Sequence, residues 1–77
     1  MAKQRKIDPL KASIAIGLKI RSLREAKGWT LEDCEEHGWP QWTHLQRLES
    51  GKNMRIDTLV RVANLFGVHP SELLKDI

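Results

Sequence analysis

The chain alternates between stretches with apolar residues at helical spacing and short polar breaks that contain glycine or proline. Apolar residues recur at intervals of three and four, which is the period of an amphipathic helix and not that of a strand. The pattern therefore predicts an all-α protein of five helices, at about residues 9–27, 31–37, 41–49, 56–66 and 70–74.

Residues typical of helix ends mark several of these boundaries. Asp8 can cap a helix whose first position is Pro9, and Thr30 with Asp33 three residues later resembles a capping box. Pro40 has no amide proton to lose, so it is expected at the start of the third helix. Glycines, which adopt left-handed conformations at little cost, follow the first four helices at Gly28, Gly38, Gly51 and Gly67.

The first helix carries two separate apolar lines. One is expected to face the core and consists of Ile16, Ile20 and Leu23, with Ala12 nearby. The other repeats at i, i+4 and i+8 on a different side and consists of Leu10, Ile14 and Leu18. Two explanations fit this second line: it packs beneath another part of the same monomer, or it contacts a second subunit.

The third helix is short and mostly polar. Leu45 and Leu48 are its inward pair, and Trp39 is expected to fill the turn that precedes it. Its remaining positions carry long polar or amphipathic side chains that would face outward: Gln41, Trp42, Thr43, Gln46 and Arg47. Such an outward edge indicates a contact surface. The fourth helix is so rich in apolar residues that central burial is expected.

Net charge is +3 over 77 residues, and its distribution is uneven. Residues 1–28 carry eight Lys and Arg against two acids, or +6, whereas residues 29–46 carry four acids and no Lys or Arg, or −4. Residues 47–77 carry five against four, or +1. A basic surface suits a polyanionic partner. Residues 1–8 are expected to form a flexible basic arm, either a solubilising tail or a segment that contacts a nucleic acid, and residues 9–77 a single domain.

Several classes of function find no support in the residues. One cysteine allows neither an internal disulfide nor a paired-cysteine metal site, so no metal is expected at Cys34, His37 or His44. The acids of the second helix lie on one short element without a predicted cleft, and no glycine-rich phosphate loop is present. No apolar run could cross a bilayer, and the N-terminus lacks a hydrophobic signal core. We expect a cytoplasmic protein that is not an enzyme and binds no cofactor.

Residues 16–74 resemble the Cro/repressor-type (Xre-like) helix-turn-helix family. The upstream segment "IGLKIRSLREAKGWT" is similar to the family's first helix and the lead into its second. The downstream segment "LESGKNMRIDTLVRVANLFGVHPSELL" is similar to its Glu-x-Gly-Lys loop, fourth helix and short fifth helix. The resemblance implies a compact, lambda repressor-like five-helix bundle. The family's first helix is usually shorter, so residues 9–15 are expected to be an N-terminal extension.

The resemblance also implies a function, that of a transcriptional regulator, expected to be a repressor, that binds double-stranded DNA as a homodimer. The family's base-reading positions fall on the third helix, at Gln41, Trp42, Thr43 and Arg47, with Gln46 adjacent. Phosphate contacts are implied for Arg24, Lys52, Asn53 and Arg55. An ion pair between Arg24 and Glu49 is implied to fix the recognition helix, residues 41–49.

The chain departs from the family pattern around the turn. Leu31 stands where the family commonly has glutamine, Glu35 replaces a small alanine, and Trp39 occupies the place of the turn glycine. A carboxylate at position 35 must be exposed or paired, since burying it alone is prohibitive. An alternative function is therefore a protein-interaction module on the same scaffold, such as an antitoxin or accessory protein, which would use Trp39, Trp42 and the acidic second helix.

Overall fold

The computed structural model describes residues 6–52 and 54–77, and within them it contains four α-helices, one 3₁₀ helix and no strand. The helices are α1 (Pro9–Ala26), α2 (Leu31–Glu36), α3 (Trp42–Glu49) and α4 (Ile56–Phe66), and the 3₁₀ helix is Pro70–Leu73. The all-α prediction is confirmed. The prediction of five helices is wrong as to α-helices, because the last element, Pro70–Leu73, is a 3₁₀ helix. Its four residues are too few for the i→i+4 hydrogen bonds of an α-helix.

Of the predicted apolar pair Leu73 and Leu74, only Leu73 belongs to the 3₁₀ helix and is buried. His69 is extended, and its Nδ1 accepts a hydrogen bond from the N–H of Ser71 at 3.1 Å, with Pro70 at the first helical position. Leu73 is buried in the core, whereas Leu74 is exposed. Leu74 follows the 3₁₀ helix as its C-cap residue, and its side chain is 53% exposed.

The predicted caps of α1 and α2 are confirmed. The Asp8 carboxylate accepts the N–H of Leu10 at 2.9 Å. Thr30 Oγ1 accepts the N–H of Asp33 at 3.0 Å, and the Asp33 carboxylate accepts the N–H of Thr30 at 2.8 Å. These reciprocal bonds satisfy donors that a helix start leaves free, and they begin α2 three residues after the left-handed Gly28 (φ +71°).

The start of α3 differs from the prediction. Gln41 has an extended backbone and occupies the N-cap, so Pro40 lies outside the helix and not at its first position. The Gln41 side chain forms no capping hydrogen bond. Pro40 has a fixed φ angle and lies in the turn that follows Gly38 (φ +108°). The N–H of Trp42, the first residue of α3, donates to the carboxylate of Glu35 in α2.

A single core joins the elements: α1 packs on α3, α4 and the 3₁₀ helix, α2 packs on α3, and α4 packs on the 3₁₀ helix. The expected core face of α1 is buried at Ile16 and Ile20, with Leu23 packed against it. The buried apolar side chains of the described residues are Ile16, Ile20, Cys34, Trp39, Leu45, Leu48, Leu59, Val62, Ala63, Phe66 and Leu73.

The fourth helix is less completely buried than its composition suggests. Its buried apolar residues follow helical spacing and form one face, at Leu59, Val62, Ala63 and Phe66. Ile56 and Val60, four residues apart, are exposed instead. A helix at the edge of a domain this small can cover one face only, so apolar richness alone overestimates its burial.

Gly17 sets the distance between α1 and α3. A Cβ atom at this position would lie 2.6 Å from the carbonyl oxygen of Glu49 and 2.7 Å from that of Leu48. Both distances are too short for a real contact, so any side chain would push the two helices apart. The close approach also brings the C-terminal half of α1 alongside the end of α3.

The second apolar line of α1 is only partly covered by other parts of the described chain. Leu10, Ile14 and Leu18 are 68%, 46% and 56% exposed, respectively. Ile14 lies against the turn after α3, since a Cβ atom on Gly51 would be 3.1 Å from Ile14 Cα and 3.2 Å from its Cγ1. Within residues 6–52 and 54–77, packing inside the monomer therefore accounts for part of Ile14 and leaves Leu10 and Leu18 exposed. No helix in this part of the chain is long and apolar enough to cross a membrane. Residues 1–5 of the predicted arm and Asn53 lie outside the described residues.

Candidate nucleic-acid interface

The outward edge of α3 is the candidate contact surface. Leu45 and Leu48 are fully buried and hold the helix on the core. The side chains on the other side are exposed at Gln41, Thr43, Gln46 and Arg47, and Trp42 is half-buried. The eight-residue helix is therefore amphipathic: its polar side chains are in solvent, and its two buried leucines pack on the core.

Three of the five predicted base-reading residues lie together. Gln41, Thr43 and Arg47 line one shallow depression on α3, together with His44. Gln can form two hydrogen bonds with adenine and Arg two with guanine, while the methyl of Thr can contact that of thymine. The cluster can therefore read several base edges from one side of a helix.

The other two predicted residues are placed differently. Gln46 lines a separate depression between α1 and α3, beside Arg21, Leu31 and Ser50. The backbone N–H of Trp42 is occupied by a carboxylate from α2. The predicted group of five is therefore split, with Gln46 on the α1 side of the helix and Trp42 at its first turn.

A bidentate ion pair fixes the C-terminal end of α3. Arg24 Nε donates to Glu49 Oε2 at 2.7 Å and Arg24 Nη2 donates to Oε1 at 3.0 Å. Arg24 Nη1 also donates to the carbonyl oxygen of Trp29 at 2.8 Å. The two charged side chains are only 12% and 9% exposed. One arginine therefore connects α1, the loop before α2 and the end of α3.

The same contacts limit what Arg24 can do at the surface. Its hydrogen bonds to Glu49 raise the pKa of Arg24 above its already high ordinary value, so the guanidinium stays charged. All three of its nitrogens donate within the protein. The arrangement suits a positioning role better than the phosphate contact that the resemblance implied.

The turn between α2 and α3 is filled by Trp39. Its indole is buried and lies near the ring of His44, with ring centroids 5.6 Å apart and planes 25° apart. Among the described residues, its Nε1 has no hydrogen-bond partner. Trp39 is thus the predicted apolar filling of the turn, and it holds His44 on the exposed side of α3.

Glu35 supplies the cap that α3 lacks. Its carboxylate is exposed and accepts the backbone N–H of Trp42 at 2.7 Å. A negative charge at this end of a helix is also favoured by the helix dipole. Glu35 therefore links the two helices on either side of the turn, at the end where α3 presents Gln41 and Thr43.

Replacing Glu35 with alanine is expected to lower the free energy of unfolding by about 1 kcal/mol, the usual contribution of a helix cap. Urea denaturation measures this, and amide hydrogen exchange should show faster exchange at Trp42. Glu35→Gln retains an acceptor and should recover part of the loss. Glu36→Ala is the matched control, because Glu36 is exposed on the same helix. Equal effects of Glu35→Ala and Glu36→Ala would contradict the capping role.

Cations follow α3 along the chain. Lys52 is exposed directly after Gly51, and Arg55 is exposed at the cap of α4. Arg55 Nε lies 3.3 Å from Asp57 Oδ1, in a pair that is largely exposed and therefore weak. Both cations can contact phosphates beside the edge of α3. The implied contact by Asn53 falls outside the described residues.

The Cys and His residues of this region do not converge. Cys34 is buried in the core, and burial raises the pKa of its thiol, so it acts as a small apolar residue. His37 is exposed and stacks on Trp29 at a centroid distance of 3.9 Å. Within residues 6–52 and 54–77, no group of three His, Cys, Asp or Glu side chains could hold a metal ion.

Sequence reasoning missed two features of this surface. The Glu35–Trp42 contact joins residues seven positions apart across a turn, and no local pattern predicts it. His44 lies beside Arg47 one helical turn away, so its spacing could have placed it in the exposed cluster.

No protein-family model, curated protein or solved structure matches the chain.

Proposed function

We propose that the protein is a sequence-specific DNA-binding transcriptional regulator of the Cro/repressor-type helix-turn-helix class, acting as a cytoplasmic homodimer. The observation that carries the proposal is the exposed edge of α3, where Gln41, Thr43 and Arg47 lie together on a helix anchored by two buried leucines. The single cysteine is free and buried, which suits a reducing compartment.

In the proposed complex α3 lies in the major groove, with α2 crossing the DNA backbone above it. Arg47 donates two hydrogen bonds to guanine, Gln41 pairs with adenine, and Thr43 contacts a thymine methyl or a phosphate. Lys52 and Arg55, in the segment between α3 and α4, bind phosphates and fix the position of the helix without reading sequence. Occupying an operator in this way would block transcription, which is the simplest action for a domain of this size.

Two contacts would keep α3 at a constant angle to the groove. The ion pair of Arg24 with Glu49 holds its C-terminal end, and the hydrogen bond from Trp42 to Glu35 holds its first turn. Base contacts need such rigidity, because a small rotation of the helix moves several side chains away from their bases.

Retention of the protein on an immobilised random duplex, measured over a salt series, tests DNA binding. The protein is expected to remain bound at low salt and to elute as salt rises, since phosphate contacts release counterions. Lys52→Ala should elute at lower salt, whereas Lys75→Ala, which removes an exposed lysine near the C-terminus, should elute with the native protein. Passage through the column at every salt concentration would overturn the proposal.

The second candidate function, a protein-interaction module, draws on the exposed acids of α2, which suit a basic partner. Glu32, Glu35 and Glu36 are exposed there. Trp39 is buried and offers a partner little surface, whereas Trp42 is half-buried. The Lys52→Ala and Lys75→Ala variants in the salt series separate the two functions, because a protein retained only through its net charge of +3 would respond equally to both changes.

A further inference from the structure

His44 is the fourth side chain of the depression on α3, and neither the helical pattern nor the resemblance assigns it a DNA contact. It lies three residues after Gln41 and three before Arg47, so all three share one edge of the helix. It is also the third residue of α3, and the residues near the N-terminus of a recognition helix are those that reach base edges. A duplex bound by Gln41 and Arg47 is therefore within reach of His44.

A buried indole limits the orientations that are open to the His44 ring. Trp39 belongs to the core and is only 5% exposed. The centroid of its ring lies 5.6 Å from that of the imidazole, and the two planes are 25° apart. An imidazole packed by one face against a fixed ring has lost rotamer freedom before any partner binds. Such preorganisation lowers the entropic cost of binding.

The stack leaves the two nitrogens of the imidazole unoccupied. Within residues 6–52 and 54–77, the His44 ring forms no hydrogen bond. Among the buried and half-buried residues of that part, Trp39 Nε1 is the only enclosed side-chain nitrogen or oxygen without a partner. The nitrogens of the half-buried His44 are therefore open to solvent. Neutral or charged, an imidazole has at least one N–H that can donate to a base edge.

We propose that His44 is a specificity-determining residue that reads guanine, and that Trp39 positions it. In the major groove, guanine presents two acceptors, N7 and O6, whereas adenine presents N7 beside a donor. An N–H donor from His44 therefore favours guanine over adenine. Side chains three residues apart on a helix are about 5–6 Å apart, and successive bases about 3.4 Å. The base pair read by His44 is thus next to the one read by Arg47.

The proposal deepens the proposed function, on which it rests, because it adds a base pair to the sequence that α3 reads. Arg47 is expected to donate to guanine as well. Each half-site should therefore contain two neighbouring G·C base pairs, one for Arg47 and one for His44. The change in base preference caused by Arg47→Ala identifies the first of these pairs, and the second lies on one side of it.

Competition between duplexes that differ at single base pairs tests the role of His44. The native protein should bind guanine at the His44 base pair about fivefold or more tightly than adenine, the lower end of the effect of a good base contact. In His44→Ala that preference should disappear, while the preference at the Arg47 base pair remains. An unchanged guanine preference in His44→Ala would overturn the proposal, and so would an equal loss of affinity for every duplex.

His37→Ala is the matched control. His37 also stacks on a tryptophan, with its ring centroid 3.9 Å from that of Trp29, but it lies outside the depression on α3. Its replacement should leave the preferences at both base pairs unchanged. Loss of the same guanine preference in His37→Ala and His44→Ala would contradict a specific reading role for His44.

Trp39→Leu tests the positioning role. Leucine keeps an apolar side chain in the turn but removes the aromatic face, so the preference at the His44 base pair should weaken while that at the Arg47 base pair is retained. Trp39→Phe keeps an aromatic face and loses no hydrogen bond, because Nε1 has no partner among the described residues. It should restore most of the preference. Equal losses at both base pairs in Trp39→Leu would overturn the positioning role. His44→Ala decides the reading role even where Trp39→Leu does not fold.

The same competition separates this inference from the proposed function. A native protein that prefers one duplex over others, and whose guanine preference survives in His44→Ala, removes the role of His44 and leaves the DNA-binding proposal intact. A native protein without preference among duplexes removes the proposed function and this inference together.

Discussion

Glu49→Ala is expected to lower the free energy of unfolding by about 3 kcal/mol, well beyond the effect of removing an exposed charge. The change leaves the Arg24 guanidinium largely buried without its carboxylate, at 12% exposure and with only the carbonyl oxygen of Trp29 as an acceptor. An unpaired buried charge costs far more than the net contribution of the pair itself. Urea denaturation at neutral pH measures the loss.

The exposed pair of Arg21 with Glu25 provides the matched control within the same helix. Its side chains are 57% and 56% exposed, so Glu25→Ala should change stability by about 0.5 kcal/mol or less. The double variant Arg24→Ala with Glu49→Ala should be less destabilised than the sum of the single variants, because removing both partners leaves no buried charge. Losses of similar size at Glu25 and Glu49 would show that the ion pair does not fix α3.

Arg47→Ala is expected to relax base preference at one position of the bound sequence, by about 1–3 kcal/mol of discrimination. The expectation follows from the exposed guanidinium in the cluster on α3, which can donate two hydrogen bonds to guanine. Competition between duplexes that differ at single base pairs measures the effect. The variant should lose preference at that base pair and keep it elsewhere.

Lys52→Ala provides the contrast, since a phosphate contact carries no sequence information. It should weaken binding to all duplexes alike and reduce the slope of log affinity against log salt by about 1. Arg61→Ala, which removes an exposed arginine from α4, should change neither property. A loss from Arg47→Ala that is equal on every duplex would assign Arg47 to the phosphates and not to the bases.

Local sequence signals predict the helices well where the physical cause is local. The capping box of Thr30 with Asp33 and the start of α1 at Asp8 and Pro9 depend on residues within three positions of each other, and both are present. The inward pair of α3 follows from helical periodicity, and both leucines are buried. Such features need no knowledge of the rest of the chain.

Features that depend on tertiary contacts are harder to predict. The fixed φ of proline favours a start of α3 at Pro40, but the helix begins at Trp42. The N–H of Trp42 donates to Glu35 of α2, a contact between two helices that the local sequence does not predict. The apolar richness of α4 suggests full burial, yet Ile56 is exposed because no described element covers that side. Gly17 inside the first helix signals a close approach, but nothing in the local pattern identifies α3 as the partner.

Selection of bound duplexes from a random pool by the native protein decides whether the outward edge of α3 reads base sequence. We predict enrichment of one motif with two inverted half-sites, their centres about one helical turn or a small multiple of it apart. Enrichment should be lost at one position of each half-site in Arg47→Ala. A pool that remains random after repeated selection would contradict a base-reading role for α3.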